Sequence, residues 1–175
     1  MMLGDTGDNT ASNLVPASEA IAKTHQKDTA LENDALYVYL DVAGQKAAIV
    51  DFHDHDKTKA YLQRAEQPLA GVVWVVSGAH GVSPKHNELL TLAKASNIPL
   101  IAVFLGNTHL IDDTELLDMV ENLEIADTLK AVGYPPTPVI RGSARQILDG
   151  QTKSVDPIWQ LVRRIETHLI SLLSS

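Results

Sequence analysis

Two short, almost unbroken apolar runs, Val72-Val-Trp-Val-Val76 and Leu100-Ile-Ala-Val-Phe-Leu105, constrain the fold more than any other feature of this chain. A strand with one wet face alternates apolar and polar residues, so a run without alternation has to be covered on both faces. Helices supply such cover. Ser83-Pro84 offers a helix cap and a first-turn proline for a helix through Ala95, with Leu89, Leu90, Leu92 and Ala93 on one side. Asp113 and Glu115 place acid at the amino end of a helix predicted over Thr114 to Lys130, where it favours the free amides. Asp156-Pro157 opens a last helix through Leu173, in which Ile158, Leu161, Val162, Ile165, Leu169 and Leu172 recur as a packing stripe. Pro138 to Arg141 is a third short strand. Strands alternating with helices predict α/β architecture, a three-layer doubly wound and mostly parallel sheet.

One hairpin departs from the parallel pattern. Leu36 to Leu40 and Lys46 to Phe52 are β-rich runs joined by Asp41 to Gln45, with Gly44 in the turn, and read as an antiparallel edge hairpin. Residues 1–35 are polar and mixed, crowded by Gly4, Gly7, Asn9, Ser12, Asn13 and Pro16, with Ala17 to Lys23 the one helical candidate. This predicts an irregular segment over 1–35 and an α/β core over 36–175, one domain overall. The expected core comprises Ile49, Val73, Val75, Leu90, Ile101, Val103, Leu117, Val120, Val139, Ile165 and Leu169.

Charge and composition narrow the function. A net charge of -8 and pI near 5.2 oppose binding to bare nucleic-acid phosphates, and no run of Lys or Arg offers a local exception. The absence of cysteine excludes disulfides, thiolate metal sites and cysteine nucleophiles. No apolar span reaches membrane length, and the Asp-rich amino end has no signal-peptide hydrophobic region, so a cytoplasmic protein without a membrane partner is expected. A protein partner stays open.

Several segments keep a consistent spacing. Val72-Val-Trp-Val-Val-Ser-Gly-Ala-His-Gly-Val-Ser-Pro84 is an apolar strand followed by a Gly- and Pro-containing loop. Asn97-Ile-Pro-Leu-Ile-Ala-Val-Phe-Leu105, Asp112-Asp113, Glu115-Leu-Leu117, Val120-Glu121 and Val139-Ile-Arg-Gly-Ser-Ala144 follow it. Over Ile49 to Gly150 this order resembles the GTPase domain of translation elongation factor Tu, a P-loop GTPase-like fold. The resemblance implies four chemical devices, and their residues are altered here.

The phosphate cradle Gly-x-x-x-x-Gly-Lys-Thr holds phosphates on backbone amides, with lysine offsetting charge and the hydroxyl on magnesium. Started at Gly4, its last three positions fall on Asn9, Thr10 and Ala11; started at Gly7, they fall on Ser12, Asn13 and Leu14, and neither register has the lysine. Only Met1-Met-Leu3 stands in place of the family's preceding strand. The second device, Asp-x-x-Gly-His, is matched by Asp51-Phe-His-Asp-His55, which keeps the magnesium-side Asp51 and the water-side His55 but puts Asp54 where glycine belongs. A carboxylate there repels phosphate by on the order of 1 kcal/mol at about 4 Å in water. On the residues alone, Asp51 and His55 are expected in a solvated strand-end loop. The third device, Asn-Lys-x-Asp, reads guanine; Gly106, Asn107, Thr108 and His109 occupy its places. The fourth survives as Ser143-Ala144-Arg145, near the base by resemblance. Thr29 is the nominal counterpart of the family's first-switch threonine.

Other constellations compete. Asp51, His53, Asp54, His55 and Asp56 are the densest set of potential ligands, and His53 with His55 could face one way on a strand toward zinc or another divalent ion. A solvated loop is the expected state. His80, His86 and His109 fall near carboxyl ends of strands, where open α/β sheets place ligands, and are expected as surface histidines. Ser77, Ser83 and Ser143 lack a Gly-x-Ser-x-Gly elbow, which argues against a serine hydrolase. Trp74 and Trp159 are expected to pack rather than to stack on bases. Phosphate, magnesium and guanine devices are altered together while packing segments persist, which predicts a pseudo-GTPase scaffold, natural or engineered, without efficient GTP binding or hydrolysis and without a bound cofactor. The alternatives are a weak GTP/GDP-binding translation-type GTPase using magnesium, and a metal- or protein-binding module on the same fold.

Overall fold

The structure, a computed structural model, describes residues 1–3, 14–32, 35–52, 54–64, 69–151 and 155–174, with side chains described from residue 17 onward in the first helix. The two unbroken apolar runs are central strands. β5 (Val72–Ser77) and β6 (Leu100–Gly106) pair in parallel, flanked by β1 (Met2–Leu3) and β7 (Val139–Arg141) in the order β1-β5-β6-β7. Their lack of alternation is explained by two cores. Val73, Val75, Ala102 and Phe104 pack on one side with α1 (Leu14–His25) and α7 (Asp156–Leu173), while Val72, Trp74, Val76, Val103 and Leu105 pack on the other with α2 (His55–Arg64) and α3 (Pro84–Ala95). Residues on both faces are therefore dry. Burying one such side chain contributes about 1.5–3 kcal/mol, so the paired runs hold much of the fold's stability.

The remaining strands form a three-stranded antiparallel sheet, β2 (Thr29–Glu32), β3 (Ala35–Val42) and β4 (Gln45–Phe52), where a two-stranded hairpin was expected. β3 and β4 pair along their full length, from Ala35 opposite Phe52 to Val42 opposite Gln45. Their turn is only Ala43-Gly44, both at positive φ (52° and 77°), the backbone that matches strand twist in a two-residue hairpin. The Asp41 carboxylate accepts a hydrogen bond from the Gly44 N–H at 3.0 Å and closes it. β4 lies against β1 without a ladder between them.

Several expectations change. Among the described residues of 1–35, β1, α1 and β2 belong to the fold, and Met2, Leu3, Ala17, Ala20 and Ile21 are completely buried. Met2 and Leu3 are too few to show periodicity, and α1 is longer than the Ala17 to Lys23 candidate. The predicted helix over 114–130 runs as α4 (Thr114–Met119), a π-helical stretch (Val120–Ile125) and α5 (Ala126–Val132), ended by Gly133 at φ 88°. The stripe of α7 is buried at Ile158, Leu161, Val162 and Ile165, but Leu172 is exposed. Trp74 is fully buried as expected, whereas Trp159 is 41% exposed and meets the His25 ring, centroids 4.0 Å apart. Of the expected core residues, Val139 and Leu169 are half-buried and the others are buried. No helix among the described residues is long and apolar enough to cross a membrane.

Candidate functional site

The carboxyl ends of β5, β6 and β7 finish level with one another, since Ser77 lies opposite Gly106 and Leu105 opposite Arg141. The loops that follow make a common rim. Gly78 donates its N–H to the Gly106 carbonyl at 2.8 Å, and Gly142 donates to the Leu105 carbonyl at 3.0 Å. A Cβ at Gly78 would lie 2.9 Å from Leu117 Cδ2 and 3.2 Å from the Gly106 oxygen, so the loops cross closely here. Beyond β6, Asn107 turns the chain at φ 56° into a 3-10 turn, Thr108–Leu110. Thr108 then donates both its N–H (3.4 Å) and its hydroxyl (3.1 Å) to the Gly142 carbonyl. The loops after β6 and β7 are thus stitched together.

His109 and Ser143 meet at the centre of this stitch. His109 Nδ1 and Ser143 Oγ are 2.7 Å apart, and Ser143 Oγ accepts the Gln146 N–H at 3.3 Å as the cap of the short helix α6 (Ala144–Leu148). Ser143 and Ala144 are buried; His109 is half-buried. A second serine–histidine contact lies after β5, where Ser77 Oγ and His80 Nδ1 are 3.1 Å apart in a turn closed by the Gly81 N–H on the Ser77 carbonyl at 2.8 Å. Glu124 of the π-helical stretch anchors that turn by accepting the Val82 N–H at 2.8 Å. In neither contact does a carboxylate meet the imidazole among the described residues. The orienting third member of a nucleophilic triad is not supplied.

His86 has a different task. It is buried on α3, accepts the Ser83 N–H on Nδ1 at 3.1 Å, and sets its ring edge-on to Trp74 at 5.7 Å. Expected at the surface, it is a capping and packing residue: on the helix's third position its ring reaches back as a Glu or Gln does in a capping box.

Asp51 and His55, expected in a solvated loop, separate. Asp51 lies on β4 and is completely buried; its Oδ2 accepts the Ser18 hydroxyl of α1 at 2.7 Å, and its Oδ1 has no partner among the described residues. Burial pushes its pKa up to about 7, against a smaller lowering by the Ser18 bond. His55 opens α2 and turns to α3, where its Nε2 lies 2.9 Å from Glu88 Oε2, and Lys59 pairs with the same carboxylate. Those partners hold the Glu88 carboxyl below its usual range, Lys59 first. Thr29 is exposed on β2. Gly4, Gly7 and His53 lie outside the described residues, and among these residues no three His, Asp or Glu side chains converge as a metal site would.

Sequence reasoning missed Ser18. Its neighbours Ala17, Ala20 and Ile21 mark a buried flank, and a buried hydroxyl requires a partner. Nothing in the spacing pointed to a carboxylate on β4. No family model matches the chain.

Proposed function

We propose that the chain is a P-loop GTPase-like scaffold, similar to the elongation factor Tu GTPase domain, that does not bind or hydrolyse GTP efficiently. The observation that carries this reading is His109 bonded to Ser143. Guanine offers two N–H groups, and the family's aspartate accepts both. Imidazole has at most one acceptor nitrogen. If Nδ1 accepts from Ser143, the other nitrogen carries a proton and meets guanine donor to donor; if Nδ1 donates, one acceptor remains for two N–H groups. Either tautomer leaves the base under-satisfied, at a cost of about 1–3 kcal/mol per buried unpaired group.

The phosphate end supports the same reading. Residues 4–13 hold Asp5 and Asp8 and no Lys, Arg or His, so a polyphosphate would meet negative charge where the family supplies lysine. For magnesium, Asp51 and Ser18 offer one carboxylate and one hydroxyl, the protein's usual small share of an octahedral shell. With its pKa near 7, Asp51 is about half protonated at neutral pH, which weakens it as a ligand. The Asp51–Ser18 pair favours a second reading, weak GTP/GDP binding with magnesium. Calorimetric titration with GDP and GTP in magnesium buffer separates the two: no saturable heat is expected, and micromolar, guanine-selective binding would favour the second.

A further inference from the structure

β2 is the outer edge of the antiparallel sheet: among the described residues it pairs with β3 alone. The Asp28 carbonyl accepts the Tyr39 N–H at 3.0 Å, which makes residues 28, 30 and 32 the ones bonded to β3. Thr29 and Leu31 aim their N–H and C=O groups outward. Thr29 is exposed, and Leu31, at 71%, is the most exposed large apolar side chain among the described residues.

The two faces of this edge differ in chemistry. Thr29 and Leu31 lie opposite Val38 and Leu36, on the face that packs with α1. Asp28, Ala30 and Glu32 lie on the other face, beside Tyr39, Tyr37 and Ala35. There the two tyrosine rings stack with centroids 6.4 Å apart, and neither carboxylate forms an ion pair with a described residue.

We propose that β2 binds an extended peptide of alternating basic and apolar residues, which continues the sheet as a fourth, antiparallel strand. The outward groups of Thr29 and Leu31 call for a backbone rather than a compact ligand. Charge selects its side chains. Residues of the added strand opposite Asp28 and Glu32 stand about 4.5 Å away, Cα to Cα, so Lys or Arg there meets a carboxylate directly. An arginine beside Asp28 also reaches the ring of Tyr39, which is 40% exposed. On the other face, the residues beside Thr29 and Leu31 extend the apolar surface of Leu31. A second copy fits poorly: when Thr29 pairs with Leu31 of another chain, Asp28 of one stands against Glu32 of the other, and two chains of net charge -8 repel. A basic strand turns both terms into attraction.

The test titrates the 175-residue chain with acetyl-Val-Arg-Val-Thr-Val-Arg-Val-amide, followed by NMR shifts and amide hydrogen exchange. Two control peptides accompany it, one with glutamate for both arginines and one N-methylated at its third and fifth residues, the donors that face Leu31 and Thr29. Saturable binding of the arginine peptide is expected, with exchange at Thr29 and Leu31 slowed about ten-fold or more and both controls about ten-fold weaker or worse. In the double variant Asp28→Arg, Glu32→Arg, the preference should reverse in favour of the glutamate peptide. The proposal is overturned if the arginine peptide does not bind, if it binds no better than either control, if the protected amides lie elsewhere, or if the double variant keeps the original preference. Protection that rises with chain concentration in the absence of peptide would assign the edge to a second copy and overturn it too.

Discussion

The paired interior of β5 and β6 and the rim of loops beyond it are adjacent in sequence and opposite in character. Inside, Trp74 and Phe104 are fully buried among apolar side chains, with the His86 ring edge-on to Trp74. At the rim, the same strands lead into polar loops in which Ser77 bonds His80, Thr108 bonds the Gly142 carbonyl and His109 bonds Ser143. The interior constrains residues by volume and dryness, so a resemblance there speaks for fold. The rim constrains them by the ligand they must match, and polar groups already satisfied by one another leave little directed outward.

The contrast can be broken most forcefully at Trp74. Trp74→Ala empties a fully buried site and is expected to cost about 3–5 kcal/mol in urea unfolding. A loss under about 1 kcal/mol would mean that the interior is not the source of stability.

Asp51 gives the next largest effect, and it depends on pH. Its folded pKa is near 7 against an ordinary value of 3.8, so between those values the folded chain keeps a proton that the unfolded chain has released. The Asp51 contribution to stability therefore falls as pH rises from about 4 to 7, by up to on the order of 4 kcal/mol, and levels off above; the Met1 α-amino group, pushed down to about 6 by burial, contributes in the opposite sense between about 6 and 8. Asp51→Asn should flatten this part of the stability–pH curve. An unchanged slope would show that another group carries it.

His86 lies at the boundary of the two regions. His86→Ala removes an acceptor from the Ser83 N–H and an edge contact with Trp74, and should lower stability by about 1–2 kcal/mol. At the rim, His109→Ala removes one partner of Ser143, which keeps its bond from Gln146, and should cost about 1 kcal/mol or less. If denaturation showed His109→Ala to exceed His86→Ala, the rim would be part of the structural core and the comparison would fail.

Which features could be read from sequence follows from the same distinction. The bounds of α3 and α7 were legible because Ser83-Pro84 and Asp156-Pro157 are local signals, and β5 and β6 because their runs are long and unbroken. β1 was hidden in two residues, β2 in a polar segment, and α2 in a run of mixed charge whose buried residues are only Thr58 and Leu62. Of the candidate site, the contact of His109 with Ser143 was not read from the sequence, where His109 is expected as a surface histidine and the two residues lie on loops after different strands. The pairing of Asp51 with Ser18 was not legible: it joins α1 to β4 across the fold, and a single buried carboxylate leaves no periodic trace.

We propose that this rim does not recognise a guanine nucleotide. Calorimetric titration of the chain with GDP in magnesium buffer tests it directly, with ADP as the comparison. No saturable heat is expected for either at concentrations up to about 1 mM. A micromolar dissociation constant for GDP, tighter than that for ADP, would contradict it.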